Sequence, residues 1–370
     1  MSTCSQLLAS LRSGAHDQNL AALYALDGSA QSLDAARARA IHIVEEFAAR
    51  FGGETEGAAL FSGPGRTEIG GNHTDHQHGR VLCGSVDLDM LACAAPNGLN
   101  VARIMSEGYP ILEIGLDNLS PNREEENTSA ALVRGVAAKI KELGYPLSGF
   151  DAYAASTVLS GSGLSSSAAY ETLVGCVFNR FCCDGKLDPV AIAKIGQYAE
   201  NVYFGKPCGL MDQMGSSVGG AVAIDFNDPA NPIVERVDYD FSQSGHALCI
   251  VDTGSSHGDL TDDYAAVTRE MGAVAAHFGK KVLRDVPESD FRAAIPALRR
   301  ECGDRAVLRS LHFYGDDRRA AQEADALKAG DFPGFLALVN ASGVSSSLHL
   351  QNPWSTADPR QQAIPLALAA

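Results

Sequence analysis

The first 50 residues carry apolar side chains at helical spacing. Ile41, Val44, Phe47 and Phe51 fall on one helical face, and Ser32 is the predicted N-cap of that helix. Short apolar runs separated by Gly, Pro and Asn come next, and such runs are typical of strands. They predict strands at 81–95, 101–105 and 111–116.

The rest of the chain mixes helical and strand patterns. Leu132, Val136, Ile140 and Leu143 share one helical face, and Gly144 is a helix stop signal. The elements predicted next are a strand at 150–159, a loop at 160–167, a helix at 168–178, a helix at 189–203, and strands at 218–226 and 247–252. Helical patterns then dominate at 264–278, 291–300 and 318–327. Strands interspersed with helices indicate an α/β or α+β chain.

Composition narrows the class of protein. The chain has 370 residues, 45% hydrophobic and 20% charged, which suits a globular protein of two domains. A net charge of −16 argues against nucleic-acid binding, because phosphate backbones need a surplus of Lys and Arg. No apolar stretch approaches the ~18 residues of a membrane span, so we expect no membrane partner. Nine scattered cysteines and the lack of a signal peptide favour reduced thiols and a cytoplasmic location.

A loop of small residues at 160–167 is the first candidate site. Gly161 and Gly163 let the backbone approach a ligand, and four serines offer hydroxyls. The helix that follows offers free amides and the positive end of its dipole. We therefore expect a phosphate site, and the alternative is a turn that packs a helix onto a sheet. The loop lacks the Lys of a Walker loop and the third glycine of a dinucleotide fingerprint.

A polar segment between glycines, residues 63–78, is the second candidate. It contains one arginine, two carboxylates and three histidines, and such polar density is costly to bury unless a ligand satisfies it. Three interpretations stay open. The segment is a zinc site on His73, His76, His78 and Asp75, a sugar-binding turn in which Asp75 and His73 bind hydroxyls, or a polar surface loop.

The third candidate is a single carboxylate, Asp212, among the apolar and small residues of 207–215. We expect it to be partly desolvated, so it needs a positive partner or a mechanistic role. The alternative is a helix cap or a turn residue.

Taken in order, the three segments resemble those of the GHMP small-molecule kinases, and most closely those of the galactokinase family. The family's sugar segment, typically Gly-Arg-Val-Asn-Leu-Ile-Gly-Glu-His-Thr-Asp-Tyr, is matched without a gap at 65–76. The family's phosphate loop, Gly-Leu-Ser-Ser-Ser-Ala, is intact at 163–168. The family's Gly-Ile-Met-Asp-Gln is matched at 209–213, and the resemblance is good over about 61–264.

This resemblance implies an α+β fold of two lobes, the GHMP kinase fold, with a ribosomal S5 domain 2-like N-terminal lobe and a ferredoxin-like C-terminal lobe. The implied boundaries are a helical extension at 1–50, an N-terminal lobe with the sugar and ATP motifs at 51–240, and a C-terminal lobe at 241–370. The family's third motif, of the Gly-Gly-Gly-Phe-Gly-Gly kind, is not found in the sequence. We therefore expect the C-terminal lobe to be incomplete.

The implied activity is ATP-dependent phosphorylation of a hexose at its anomeric C1 hydroxyl, with Mg²⁺ as the cofactor. Galactose is the hexose that the resemblance implies. The implied catalytic pair is Asp212 and Arg66. The implied sugar-binding residues are Asn72, His73, Asp75, Gly209 and Tyr264. The implied ATP-binding residues are Gly161, Ser162, Gly163, Leu164, Ser165, Ser166 and Ser167. The implied magnesium ligands are Ser166 and Glu200.

Two departures from the family pattern leave alternatives open. Asn72 stands where the family carries a Glu that contacts the sugar's C6 hydroxyl, and His76 stands where it carries Tyr, so a related hexose is an alternative substrate. The missing third motif favours a catalytically silent sugar- and ATP-binding regulator, whereas the complete serine loop and Asp212 favour an enzyme. The resemblance also demotes the zinc interpretation and disfavours a mevalonate or homoserine kinase.

Overall fold

The computed structural model describes residues 2–24, 26, 29–158, 161–206, 208–251, 253, 261–354 and 359–370. The helices are α1 Cys4–Arg12, α2 Asp17–Leu23, α3 Ala30–Phe51, α4 Ser129–Glu142, α5 Ser166–Cys182, α6 Pro189–Tyr198, α7 Met211–Val218, α8 Thr261–His277, α9 Glu288–Glu301, α10 Asp304–Lys328, α11 Phe332–Ser345 and α12 Ala363–Ala369. The strands are β1 Ala59–Gly70, β2 Arg80–Pro96, β3 Val101–Ser106, β4 Leu112–Gly115, β5 Phe150–Ser156, β6 Ala221–Asp225 and β7 Ile233–Val237. Two π-helical turns follow α6 and α11, at Ala199–Phe204 and Ser346–Leu350.

Contacts divide the chain into two units, residues 1–66 with 85–219 and residues 67–84 with 220–370. In the first unit, β2 pairs antiparallel with β5, β5 runs parallel to β3, and β3 pairs antiparallel with β4. In the second unit, the first residues of β2 pair antiparallel with β6, and β6 pairs antiparallel with β7. The lobe boundaries expected at residues 50 and 240 stay predictions.

The sheet of the first unit is covered on both faces, which explains the unbroken apolar run in β2. Leu91, Cys93 and Ala95 pack with the N-terminal helices α1, α2 and α3. Ala94 packs with α4 and α5, and Ala92 packs with α5. A strand that is buried on both faces reads as a continuous hydrophobic run. The predicted helices in the first 50 residues are thus confirmed, and they form one layer over this sheet.

Several predicted helix ends shift in the structure. Ser29, and not the predicted Ser32, caps α3, because its hydroxyl accepts from the Ser32 backbone N–H at 3.2 Å. Asp188 caps α6 through the Ala191 N–H at 2.7 Å, with proline at the first helical position, as helix starts favour. The predicted helix at 189–203 is α-helical only to Tyr198 and continues as a π-helical turn. The predicted helix at 318–327 is the second half of the longer α10.

Other segments have a different structure from the predicted one. A turn and a surface loop were two of the interpretations left open for the polar segment, but its residues 63–70 are the last eight residues of strand β1. Residues 247–251 form no strand, and the last residue of that prediction, Asp252, lies outside the described residues, as do Leu159, Ser160 and Pro207. Helices α7 and α11 were not predicted. Helix α7 ends at Val218, and the strand expected at 218–226 is β6, which begins at Ala221. No helix in the described part of the chain is long and apolar enough to cross a membrane.

Candidate active site

Asp212 and Arg66 form an ion pair in the first unit. Asp212 lies in the first turn of α7, and its Oδ1 accepts from Arg66 Nε at 2.8 Å. The second carboxylate oxygen accepts from the Ser165 hydroxyl. Arg66 also donates to Gly163 O at 2.7 Å and to Ser165 Oγ at 3.0 Å. The Arg66 side chain is 13% exposed and the Asp212 side chain 30%, so the pair is largely shielded from solvent. The structure therefore brings together the predicted catalytic pair and the predicted phosphate loop.

Glycines allow strand β1 to carry Arg66 against the start of α5. A Cβ built at Gly63 would overlap the carbonyl oxygen of Ala169, and one at Gly65 would lie 3.2 Å from Leu164 O. The Arg66 backbone N–H donates to Leu164 O at 3.0 Å and completes the contact. Larger residues at these two positions would push the strand, and with it the guanidinium, away from the loop.

The serine loop ends in a strained residue at the N-cap of α5. Ser165 has φ +57°, a left-handed conformation that is uncommon outside glycine, while Gly161 and Gly163 both have φ +77°. The Ser165 side chain makes no capping hydrogen bond and donates to Asp212 instead. Ser165 therefore leaves the first amides of this 17-residue helix uncapped, and uncapped amides at a helix N-terminus are able to bind anions.

Glu200 is a buried carboxylate near the same loop. Its Oε1 accepts from the Ser167 hydroxyl at 3.2 Å and from Lys206 Nζ at 3.5 Å. The predicted magnesium ligand Ser166 is the first residue of α5, and the hydrogen bond to Glu200 that the structure records comes from Ser167.

Sequence reasoning missed the amide that connects this carboxylate to a second one. Gln213 Nε2 donates to Glu200 Oε2 at 2.8 Å and to Glu171 Oε2 at 3.0 Å, and all three residues are buried. Burial and the negative charge of Glu200 raise the pKa of Glu171. Gln213 directly follows Asp212 in the matched motif at 209–213, and this position was the signal that could have indicated a role for its side chain. Gly209, a predicted sugar ligand, lies in the segment before α7, and its role stays a prediction.

The other predicted sugar-binding residues lie in the second unit. His73 has φ +59°, and its ring centroid lies 5.5 Å from that of Tyr264 in α8 and 6.1 Å from that of His76. Asp75 begins a short 3₁₀ turn and accepts from the His76 N–H at 2.9 Å. Burial lowers the pKa of His73 to about 4, so the imidazole is neutral at neutral pH.

Asn72 is held by buried polar groups of α10 and the π-helical turn after α11. Its backbone N–H donates to Asp316 Oδ2 at 2.9 Å, and its side-chain amide donates to Ser346 Oγ at 2.9 Å. His312 Nε2 lies 2.8 Å from the Asn72 carbonyl, and because a carbonyl can only accept, the ring donates there. The sequence analysis did not predict these contacts. His312 and Asp316 are four residues apart in α10, and this spacing, which puts two polar side chains on one helical face, was the signal that could have indicated them.

Two segments of the chain match known family signatures. Residues 45–96 match the galactokinase galactose-binding signature, and residues 131–220 match the GHMP kinases N-terminal domain. The Streptomyces coelicolor galactokinase is 32% identical over 295 residues, which cover 78% of this chain and 73% of that protein. The human galactokinase is 32% identical over 333 residues, which cover 87% of this chain and 80% of that protein. This chain belongs to the galactokinase family.

Solved structures agree with this membership. The structure of the Lactococcus lactis galactokinase complexed with galactose matches with a TM-score of 0.69 and 25% identity, covering 82% of this chain and 78% of that one. The Methanococcus jannaschii mevalonate kinase matches with a TM-score of 0.53 at 14% identity, which shows the fold alone. The α+β GHMP kinase fold and the enzyme class, a sugar kinase, are thereby confirmed.

Galactokinases act with ATP and Mg²⁺, and the residues near the serine loop fit this ion. A carboxylate and serine hydroxyls are oxygen donors, which Mg²⁺ prefers, and Mg²⁺ takes few protein ligands because phosphate oxygens and water complete its shell. Glu200 and the hydroxyls at the start of α5 are such a donor set. No group of three or more His, Cys, Asp or Glu in the described residues is placed to hold a metal, so the zinc interpretation of the histidines gains no support.

Proposed function

We propose that this chain transfers the terminal phosphoryl group of ATP to the anomeric C1 hydroxyl of galactose, giving galactose 1-phosphate and ADP. The observation that carries the proposal is the Asp212 carboxylate, held by Arg66 and Ser165 at the end of the serine loop. Phosphoryl transfer depends on positioning and charge neutralisation more than on covalent chemistry by the protein. A carboxylate and a guanidinium joined in this way supply both requirements.

In this mechanism Asp212 accepts the proton of the C1 hydroxyl, or orients that hydroxyl for attack. Arg66 compensates the charge of the carboxylate, and its other donors reach the Gly163 carbonyl and the Ser165 hydroxyl. The guanidinium is thus fixed beside the loop proposed to bind the ATP phosphates, where it stabilises the negative charge of the transferring phosphoryl group.

The phosphates of ATP are proposed to bind the loop at 161–167 and the first amides of α5. Bound Mg²⁺ supplies positive charge to the phosphate oxygens, which an acidic chain otherwise lacks. Ser166 and Glu200 are the proposed ligands, with the Ser167 hydroxyl orienting the Glu200 carboxylate. Lys206 Nζ lies 3.5 Å from the same carboxylate and partly compensates its negative charge.

The sugar is proposed to bind Asn72, His73, Asp75, Gly209 and Tyr264. The neutral His73 both donates and accepts, as recognition of a hydroxyl requires. The Asn72 amide already donates to Ser346, so this position offers the sugar a weaker acceptor than the carboxylate of its relatives. A hexose related to galactose is therefore the second candidate substrate.

One experiment tests the activity. ADP release is measured with Mg-ATP and a panel of hexoses for the wild type, for Asp212→Asn, and for Asp184→Asn, whose side chain is 84% exposed and serves as the matched control. We expect galactose-dependent release that falls by about 10²–10⁴-fold in Asp212→Asn and is unchanged in Asp184→Asn. Sugar binding by the wild type without turnover would support the silent regulator, and no binding of any hexose would contradict both functions.

A further inference from the structure

Helix α10 contains a buried acid that the proposed mechanism does not use. Glu323 is 0% exposed, and neither of its carboxyl oxygens has a hydrogen-bond partner among the described residues. Glutamates are rarely buried without a partner, because removing an unpaired charge from water is costly. A side chain of this kind therefore calls for a specific explanation.

The carboxyl group packs on Gly70 at the end of strand β1. The sugar-binding segment, residues 72–75 with the proposed ligands Asn72, His73 and Asp75, follows two residues later. A Cβ built at Gly70 would overlap Glu323 Oε2 and lie 2.6 Å from Glu323 Cδ. Glu323 thus fills the space that any side chain at position 70 would occupy. The family segment quoted above has isoleucine at this position, so an acid here takes the place of an aliphatic side chain.

Two charged groups act on Glu323, and both belong to α10. Arg319 Nε donates to Asp316 Oδ1 at 2.7 Å, while Arg319 Nη2 is buried and has no partner among the described residues. Asp316 Oδ2 accepts from the backbone N–H of Asn72. Glu323, Arg319 and Asp316 therefore lie in sequence along α10, and Asp316 connects them to Asn72 in the sugar-binding segment.

No described side chain on the other elements packed against α10 is a hydrogen-bond partner of Glu323. Glu270 of α8 is paired with Arg305 and Arg309, and Glu288 of α9 is paired with Arg292 and Arg318. His349 of the π-helical turn after α11 contacts the Ser345 hydroxyl.

Helix α11 has no ionisable residue. Strands β6 and β7 hold Asp225 and Glu235 in ion pairs with Arg80 and Lys328. Arg236 lies on the opposite face of β7 from Glu235 and Val237, which face α10. Burial raises the pKa of Glu323 to about 8, Asp316 adds to the rise, and Arg319 opposes it. Glu323 is thus a neutral acid at pH 7.

We propose that Glu323 is a positioning residue for the sugar-binding segment, and that its ionisation weakens sugar binding. As a neutral acid it supports Gly70 and leaves Arg319 with Asp316, which holds Asn72. As a carboxylate it attracts the unpartnered Nη2 of Arg319, draws the guanidinium from Asp316, and loosens the Asn72 backbone. This inference rests on the proposed function for its kinetic test and on the protein alone for its stability test.

The kinetic test compares the wild type with Glu323→Gln from about pH 6.5 to about pH 9.5. At a pKa near 8 the ionised fraction rises from about 10% at pH 7 to about 90% at pH 9, so we expect KM for galactose to rise at least about threefold over that interval. The turnover number should change little, because neither Asp212 nor Arg66 is a hydrogen-bond partner of Glu323, Arg319 or Asp316. Glu323→Gln keeps the shape and removes the titration, so its KM should not show this rise. Asp325→Asn on the same helix, whose side chain is 77% exposed, should follow the wild type.

The stability test uses urea unfolding without substrate. Between about pH 4.5 and about pH 8 the native state binds the Glu323 proton and the unfolded state does not, so the unfolding free energy should fall as pH rises. Glu323→Gln, or Glu323→Met if the amide variant does not fold, should lose that slope. If the variants lose the pH slope of the unfolding free energy but their KM still rises with pH as in the wild type, the positioning role is wrong. If the variants keep both the slope and the rise in KM, the whole inference is wrong. A wild type that neither binds nor phosphorylates galactose contradicts the proposed function instead, and the stability test still stands.

Discussion

Replacing Arg66 by lysine tests whether catalysis depends on the fork of the guanidinium or on its charge alone. Arg66 donates to the carboxylate of Asp212, to the carbonyl of Gly163 and to the hydroxyl of Ser165. A lysine keeps the charge but cannot reach three acceptors in this plane. One lost hydrogen bond to a charged group is worth about 1.5–3 kcal/mol, and the pair is mostly shielded from solvent. We therefore expect kcat to fall by about 10–150-fold in Arg66→Lys.

Steady-state kinetics with varied Mg-ATP and galactose measure this effect, and calorimetry of sugar binding checks that the fold is intact. Removing the charge as well, in Arg66→Met, should lower kcat further, because the partly buried carboxylate loses its counter-ion. Arg134→Lys is the matched control, since Arg134 forms a comparable two-bond pair with Glu125 at 15% and 19% exposure and serves no predicted site residue. A kcat for Arg66→Lys within about threefold of the wild type would refute the role given to the guanidinium.

Three further predictions concern packing, anchoring and protonation. Gly63→Ala should lower the unfolding free energy in urea by about 1–3 kcal/mol, because its Cβ overlaps a backbone carbonyl, whereas Gly115→Ala meets no atom within 4 Å and should lose less. Asp89→Ala removes the buried carboxylate that pairs with Arg39 and should cost about 3 kcal/mol by thermal or urea unfolding, and a loss under about 1 kcal/mol would contradict this anchoring. The dissociation constant of galactose, measured by calorimetry, should be constant from about pH 5.5 to about pH 6.5 and rise near pH 4 as His73 gains a proton, and a rise with a midpoint near pH 6.5 on the acid side would contradict the neutral imidazole.

The sequence predicted two kinds of feature well: elements with a regular apolar pattern, and site residues that lie in short matched motifs. The strands at 81–95 and 101–105 and the helix after residue 128 appear nearly as expected, because their apolar spacing is long and regular. The pairing of Arg66 with Asp212 followed from a resemblance that names both residues. Their separation of 146 positions would have hidden the contact from any analysis of spacing alone.

The failures have a common physical cause, which is tertiary packing that overrides local propensity. Helix α7 begins at Met211 and contains Gly and two serines, so its sequence is a poor helix former, and its contacts with α5 and α6 stabilise it. Residues 63–70 of β1 were not predicted as a strand, because Gly63, Pro64 and Gly65 interrupt the alternation of a strand. The two glycines are nevertheless what lets the strand approach α5. Glycine in these places marks close contact and not a turn.

Gly70 and Glu323 show why a position cannot be judged without its spatial neighbour. Read alone, a glycine in place of isoleucine predicts a cavity beneath the sugar-binding segment, and a glutamate on a helix predicts a solvated charge. In the structure the glutamate fills the cavity and loses its contact with water. By filling the space, the glutamate restores packing that an empty site would lose. It is an ionisable group, however, whereas an aliphatic side chain in the same space is neutral at every pH. The exchange therefore conserves shape and introduces a dependence on pH, and that dependence belongs to the pair of residues and to neither one alone.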